Sequence, residues 1–164
     1  MATHIYPSPT WLEESAIIYR STPKFENALK KITTRIYMRI KSEPSWGIAG
    51  DMIFGAVVEN GVLLELGFVP ETEAKAKAEF ILTATPQEWK RILTKDSKFI
   101  TDFMLGKIQL EQGNKVTLLK IVPRADTFVE SLTQVDLKFP DDLTAEELEA
   151  FCEELAKIRL EKGI

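Results

Sequence analysis

Residues 75–89, KAKAEFILTATPQEW, predict a strand that runs directly into a capped helix. Small or apolar residues alternate with charged or polar ones from Lys75 to Ala84. This alternation predicts a strand that carries one apolar face, formed by Ala76, Ala78, Phe80, Leu82 and Ala84. Thr85, Pro86 and Glu88 then have the order of a capping box with proline at the first helical position. The stretch therefore indicates a fold in which strands and helices follow one another closely.

Four further strands are predicted on either side of this unit. Alternating apolar residues at 36–40, 52–58 and 62–68 predict three strands upstream, and Lys107 to Glu111 predicts a short fifth strand. Asn60 and Gly61 favour a type I′ turn between the second and third strands, because both residues tolerate positive φ.

Helices are predicted before, between and after these strands. A Thr-x-x-Glu box at Thr10 starts the first helix, Ser97 caps another, Gly106 ends it, and Thr144 starts the last. Residues 116–122 are apolar nearly all round, which is typical of a helix buried on several sides. The predicted helices are 9–19, 25–31, a helix that begins at Pro86, 98–105, 116–122, 126–135 and 144–162. We expect an α+β fold with helices covering the apolar face of the sheet.

Composition favours one globular domain and argues against a nucleic-acid-binding protein. The chain has 164 residues, 45% of them apolar and 28% charged, with a net charge of −4. These values are ordinary for a folded domain. The basic residues are scattered, whereas phosphate binding requires a positive surface. We expect a single domain over residues 1–164, with a core at about 25–135 and a helical extension at 143–162.

Catalytic and metal-binding patterns are missing from the sequence. His4 is the single histidine and Cys152 the single cysteine, and they lie far apart in sequence, which argues against a His-containing triad and against a zinc site. Asp141 and Asp142 lie in a predicted turn, and the glycines at 47 and 50 lack the lysine of a phosphate-binding loop. We expect no enzyme activity and no cofactor.

Targeting signals are also missing. The apolar runs are far shorter than the ~20 residues needed to cross a bilayer. The N-terminus lacks the basic and apolar regions of a signal peptide, and the C-terminus is not a Ser-Lys-Leu-type address. With a single cysteine, no disulfide can form within the chain, and a cytoplasmic protein is the expectation.

Two stretches resemble the sterol carrier protein type 2 family. The first is the strand and capped helix of residues 75–89. The second is FMLGKIQLEQGN at 103–114, which is similar to the family's Phe-x-x-Gly-Lys strand followed by Gly-Asn. The resemblance covers about residues 25–132. It implies a five-stranded, mostly antiparallel sheet whose helices enclose an apolar tunnel for sterols, fatty acids, acyl-CoA or similar lipids.

The resemblance also implies a set of lipid-facing residues. With two floor residues on the fourth strand, the predicted ligand-binding set is Phe80, Leu82, Trp89, Phe99, Phe103, Met104, Leu118, Leu119 and Val122. The chain departs from the family pattern in the helix after Gly113-Asn114, which lacks the usual Met/Ala-rich run, and in its additional C-terminal helix.

Other interpretations of these residues remain open. Inward alanines provide space for a ligand, or they let a helix pack closely on the sheet. The aromatic and methionine residues at 99–104 line a pocket or form plain core. Trp11 and Trp46 lie at an entrance, or they fold back on the core.

We therefore expect reversible binding or transfer of a lipid-like molecule, with at most transient membrane contact. The alternatives are an interaction module whose cavity is closed, or an accessory domain of a lipid-processing enzyme. The final helix has an acidic outer face and an apolar stripe, Leu148, Phe151, Leu155 and Ile158. Three roles are open for this helix: it covers the tunnel, it packs on the domain, or it pairs with a second chain to form a homodimer.

Overall fold

A computed structural model describes residues 3–164 of the chain. The strands are β1 (Thr3–Ile5), β2 (Thr34–Ile40), β3 (Met52–Glu59), β4 (Val62–Val69), β5 (Phe80–Ala84), β6 (Gln109–Gln112) and β7 (Asp136–Lys138). The helices are α1 (Pro9–Ser21), α2 (Pro23–Ala28), α3 (Glu71–Lys77), α4 (Pro86–Leu93), α5 (Phe99–Met104), α6 (Lys115–Ile121), α7 (Ala125–Leu132) and α8 (Ala145–Lys162). Short 3₁₀ turns occupy Pro44–Trp46, Val122–Arg124 and Pro140–Asp142.

Five strands form the main sheet in the order β4-β3-β2-β5-β6. The central pair β2 and β5 is parallel, and the other three pairs are antiparallel. Strands β1 and β7 form a separate parallel pair. The predicted α+β class and the five-stranded, mostly antiparallel sheet are confirmed.

The inner face of the sheet carries the main hydrophobic core. Alternation along β2 and β3 places Ile36, Met38, Ile40, Phe54 and Ala56 on this face, as the period-2 pattern predicted. Helices α1, α4, α5, α6 and α7 contribute apolar residues to the same side, including the fully buried Trp11 and Leu12. Burial of these residues supplies most of the energy that holds the two layers together.

The predicted fourth strand is wrong in its first half. Residues 71–77 form helix α3, and the strand begins at Phe80. Glutamates lie in the first turn and lysines in the last turn of α3, which suits the helix dipole, and two Glu–Lys pairs stand four residues apart. Ala76 is consequently exposed on a helix and is not part of an apolar strand face.

Helix α3 also covers the face of the sheet opposite the main core. Ala74 is fully buried there against Tyr37, Ile53 and Ile81. Helices were expected over the apolar face of the sheet, and α3 adds a second, small core on the opposite face.

Capping signals were correct at two of the four predicted helix starts. The hydroxyls of Thr85 and Thr144 each accept a hydrogen bond from the third helical N–H. In return, the backbone N–H of each threonine donates to the side chain of the glutamate at that third position. The first helix is capped by Ser8, whose Oγ accepts from Trp11 N, so the cap predicted at Thr10 is wrong. Ser97 is not a cap either, because its hydroxyl donates to Asp102 Oδ1 at 2.5 Å and α5 begins after Lys98.

Turn predictions at glycine were confirmed. Asn60 and Gly61 have φ values of 49° and 82°, which is the conformation of a type I′ hairpin turn, and Gly106 has a φ of 78°. Helix α6 was expected to be buried on several sides, which is wrong. Val116 is 65% exposed and Leu118 is buried.

The C-terminal helix α8 seats on the domain. Phe151 and Leu155 are buried in the main core. Arg159 donates hydrogen bonds to the carbonyls of Gly50 at 2.7 Å and Asp51 at 2.9 Å, which fixes the helix against the loop before β3. Pairing of this helix with a second chain stays a prediction.

Within residues 3–164, no helix combines the length and hydropathy required for a membrane crossing.

Candidate ligand-binding site

An apolar cavity of about 100 Å³ lies between the inner face of the sheet and helices α1, α4, α6 and α7. Its walls come from both layers and from the segments that join them. The sheet contributes Thr34, Ile36, Met38, Phe54, Val58 and Leu82. The helices and loops contribute Tyr6, Trp11, Leu29, Ile32, Trp89, Ile92, Leu93, Phe99, Leu118, Ile121, Val122, Arg124, Ala125, Phe128, Val129 and Leu132.

Polar groups of the aromatic wall residues are satisfied within the protein. Trp11 Nε1 donates to the carbonyl of Leu132 at 3.0 Å, and Trp89 Nε1 donates to the carbonyl of Arg39 at 2.9 Å. Tyr6 donates from its hydroxyl to the carbonyl of Pro86 at 3.3 Å, and burial raises the pKa of that hydroxyl well above its usual value. The rings therefore present hydrocarbon to the cavity, which favours an apolar occupant over water.

Thr34 is the other uncharged polar residue in the wall. Its hydroxyl donates to Glu79 Oε1 at 2.6 Å, so the remaining surface that it offers to the cavity is mainly its methyl group. The lining accordingly contains one charged side chain, Arg124, within the part of the chain that the structure describes.

The cavity is closest to solvent along one side. Most wall residues are buried, Arg124 is exposed, and the half-buried ones are Ile32, Ile36, Ile121, Val122, Ala125, Phe128 and Val129. All of these except Ile36, which is on β2, belong to the turn after α2 or to the segment from the end of α6 into α7. We call this side the mouth of the cavity, defined by Ile32, Ile121, Val122, Arg124 and Phe128.

Five of the nine predicted ligand-binding residues line the cavity, namely Leu82, Trp89, Phe99, Leu118 and Val122. Phe80 and Phe103 lie elsewhere in the same core, with 0% and 8% of their surfaces exposed. Phe103 stacks on Phe99 at a ring distance of 6.1 Å and so supports the wall from behind.

Met104 and Leu119 do not line the cavity. Met104 is 66% exposed at the end of α5, and Leu119 is 38% exposed on the outer side of α6. Both lie on short helices that bury one side only. The adjacent residues Phe103 and Leu118 are on the buried side.

The lining also contains seventeen residues outside the predicted set. Several of them, such as Ile36 and Met38, are strand residues that the alternation of the sequence had placed on the apolar face of the sheet. The alternation was thus sufficient to predict that they face the helices. The α7 residues Ala125, Phe128 and Val129 have helical spacing that fits a wall, but no motif marks them. Trp11 lines the cavity and Trp46 packs into the core, so neither tryptophan is exposed.

The part of the chain that the structure describes holds no group of three or more His, Cys, Asp or Glu side chains arranged to bind a metal ion.

Solved structures of sterol carrier proteins share this architecture. The crystal structure of sterol carrier protein 2 superposes with a TM-score of 0.69 and 16% identity, covering 78% of this chain and 97% of the other. The chain has the sterol carrier protein 2 fold. A conserved hypothetical protein from Thermus thermophilus gives a TM-score of 0.70 and 16% identity, covering 80% and 90%. The apo form of sterol carrier protein 2 from Yarrowia lipolytica gives 0.53 and 13%, covering 75% and 89%.

No family model matches the sequence, and no curated protein matches it significantly. A sequence that is 13–16% identical to these three solved structures thus has the same fold.

Proposed function

We propose that the protein binds a lipid-like molecule reversibly in this cavity and does not transform it. The observation that carries the proposal is the almost wholly apolar lining, in which the ring N–H and O–H groups are bonded within the protein. The shared fold with sterol carrier proteins supports the same function.

The volume of the cavity sets a limit on the ligand in this conformation. Pockets that enclose drug-sized ligands measure roughly 300–1,000 Å³, whereas this cavity measures about 100 Å³. A long acyl chain therefore requires the walls to move apart. We place that movement in α6 and α7, because among the residues of α6 Leu118 alone is buried.

The mouth is suited to an anionic headgroup. Arg124 lines it, is exposed, and forms no ion pair with any of residues 3–164. A carboxylate at the mouth can accept two parallel hydrogen bonds from the guanidinium while its chain occupies the apolar interior. A fatty acid is thus the ligand class that the cavity and its mouth fit best.

Transient contact with a membrane is part of the proposal. Val116 and Leu119 are exposed on α6, next to the mouth, and Lys115 and Lys120 flank them on the same helix. Exposed apolar side chains with lysines beside them suit the surface of an anionic bilayer.

A chain-length series tests the proposal. Isothermal titration of delipidated protein with saturated fatty acids should give a dissociation constant that falls about fourfold for each added methylene, since burial of one methylene is worth about 0.8 kcal/mol. The fall should level off when the expanded cavity is full. Absence of binding at every length, or affinity independent of length, would reject the carrier function.

A further inference from the structure

A second hollow, of about 390 Å³, lies on the opposite face of the sheet at its β4 edge. It is open to solvent and is bounded by α3 on one side and by β3 and β4 below. We call it the outer groove. It is lined by Tyr37, Gly55, Glu65, Leu66, Gly67, Phe68, Val69, Glu73 and Lys77.

Two glycines shape the floor of the outer groove. Tyr37 pairs with Gly55 across β2 and β3, and Gly55 pairs with Gly67 across β3 and β4, so the three lie in one row. A Cβ atom on Gly55 would overlap Cε2 of the Tyr37 ring, whereas a Cβ on Gly67 would meet nothing within 4 Å. The tyrosine ring therefore lies across β3, and open space remains above Gly67.

Tyr37 is 1% exposed and borders the groove, and its hydroxyl has no hydrogen-bond partner within residues 3–164. The other two tyrosines differ, because Tyr6 donates to the carbonyl of Pro86 and Tyr19 donates to the carbonyl of Gly61 at 2.6 Å. Asp102 Oδ2 is the buried side-chain oxygen without a partner in the described residues, so the hydroxyl of Tyr37 is not sealed and faces the solvent in the groove. The hydroxyl of Tyr37 is thus available to a molecule in the groove.

Two carboxylates and two cationic groups lie near Tyr37. Glu65 is exposed on β4 and forms no ion pair with the described residues, and Glu73 faces it from α3, with Lys77 Nζ 3.7 Å away. Arg35 is the further charge nearby, and its Nε donates to the carbonyl of Lys77 at 2.7 Å. Burial is the main cause that raises the pKa of Tyr37, and the charges of Glu65 and Glu73 raise it further. Arg35 has the opposite effect. The hydroxyl is therefore protonated at neutral pH, and Glu65 and Glu73 act on it more strongly than Arg35 does.

We propose that the outer groove binds a small organic cation, a primary ammonium group on a short hydrocarbon chain. An ammonium group has three donors and no acceptor, and we place it on the carboxylate of Glu65, which has no ion pair within residues 3–164, and on the hydroxyl oxygen of Tyr37. The carboxylate of Glu73 is shared between the ligand and Lys77. The hydrocarbon lies in the space above Gly67. The groove is on the face of the sheet opposite the apolar cavity, so this site is independent of the lipid site.

Titration of ¹⁵N-labelled protein with n-butylamine at neutral pH tests the site directly. Amide signals of Gly55 and Gly67 should shift with one saturable binding curve, because these residues form the floor of the groove. Equal shifts with n-butanol, which has the same chain without the charge, would overturn the assignment to a cation. So would titration without any shift at either glycine.

Two variants of the groove sharpen this test. Glu65→Gln removes one charge-assisted hydrogen bond from an exposed position and should weaken n-butylamine binding about tenfold. Gly67→Thr places a β-branched side chain in the open space without a clash in the strand and should abolish the shifts. Glu146→Gln, an exposed carboxylate on α8, is the matched control and should leave the affinity unchanged. Unaltered affinity in both groove variants would contradict the proposal.

Discussion

The indole N–H of Trp89 donates a hydrogen bond to the main-chain carbonyl of Arg39, on the central strand β2. Trp89 is part of the cavity wall, while the guanidinium of Arg39 lies on the other face of the sheet, where it contacts Glu71 of α3. That guanidinium binds Glu111 through two hydrogen bonds of 2.8 and 3.0 Å and also contacts Asp51 and Glu71. The position of one cavity wall is thus tied to an ion-pair network on the far side of the sheet.

This network predicts a loss of stability in acid. Hydrogen bonds from Arg39 are the main cause that holds the pKa of Glu111 below its usual value of 4.5, against the effect of burial. A carboxyl whose folded pKa is lowered stabilises the protein above its unfolded pKa, and that contribution is lost as pH falls through the folded value. Urea unfolding between about pH 5 and pH 3 should therefore show a falling free energy of unfolding. The Glu111→Gln variant should show a shallower fall, and an unchanged slope would contradict the assignment.

The paired glycines of β3 and β4 predict opposite responses to one added methyl group. Gly55→Ala should destabilise the protein by about 1–3 kcal/mol, since its Cβ would overlap the ring of Tyr37. Gly67→Ala has open space and should be neutral or stabilising by about 0.5 kcal/mol, because alanine restricts the unfolded chain. Urea unfolding of the two variants checks this contrast. Equal effects would mean that the tyrosine ring does not lie over Gly55.

Neighbouring leucines on α6 provide a matched test of the cavity. Leu118→Trp should fill the cavity and reduce fatty-acid binding at least tenfold, at a cost to stability of about 1–3 kcal/mol. Leu119→Trp changes the same helix on its exposed side and should bind fatty acid as the unmodified protein does. Displacement of a fluorescent fatty acid measures both.

Ala125→Leu serves as a milder filling variant should Leu118→Trp fail to fold. Equal binding by the filled variants and by Leu119→Trp would show that the ligand lies outside the cavity.

Arg124 predicts discrimination between headgroups. Arg124→Gln should weaken binding of dodecanoic acid about tenfold, because a charge-assisted hydrogen bond contributes roughly 1.5–3 kcal/mol. Binding of dodecanol, which lacks the carboxylate, should change little. Competition of both ligands against the fluorescent probe gives the comparison, and equal weakening of acid and alcohol would assign Arg124 a purely structural role.

The sequence was sufficient to predict the five strands of the main sheet and two helix caps. It was not sufficient to predict where the fourth strand begins or which side of α6 faces inward. Residues 75–78 alternate alanine with lysine, a pattern that suits a strand face as well as the outer side of a helix. Glutamates at 71 and 73 add the complementary charges that favour the helix. Local pattern alone does not decide between these two states, and the packing of Ala74 on the sheet does.

The same limit applies to the site. Residues 116–122 are apolar on nearly every side, so their sequence does not tell which of Leu118 and Leu119 faces inward. The phase is set by the start of α6, where Asn114 accepts a hydrogen bond from Thr117 N, and by the contacts of Leu118 with the core. The α7 wall was missed because helical apolar residues are ordinary core in most proteins.

The most direct measurement is a search for intermolecular nuclear Overhauser effects between ¹³C-labelled decanoic acid and methyl groups of the protein. We expect contacts from the terminal methyl group of the ligand to Met38, Leu82 and Leu118, inside the cavity. Contacts confined to the exposed side chains of Met104, Val116 and Leu119, or no contacts at all, would contradict it.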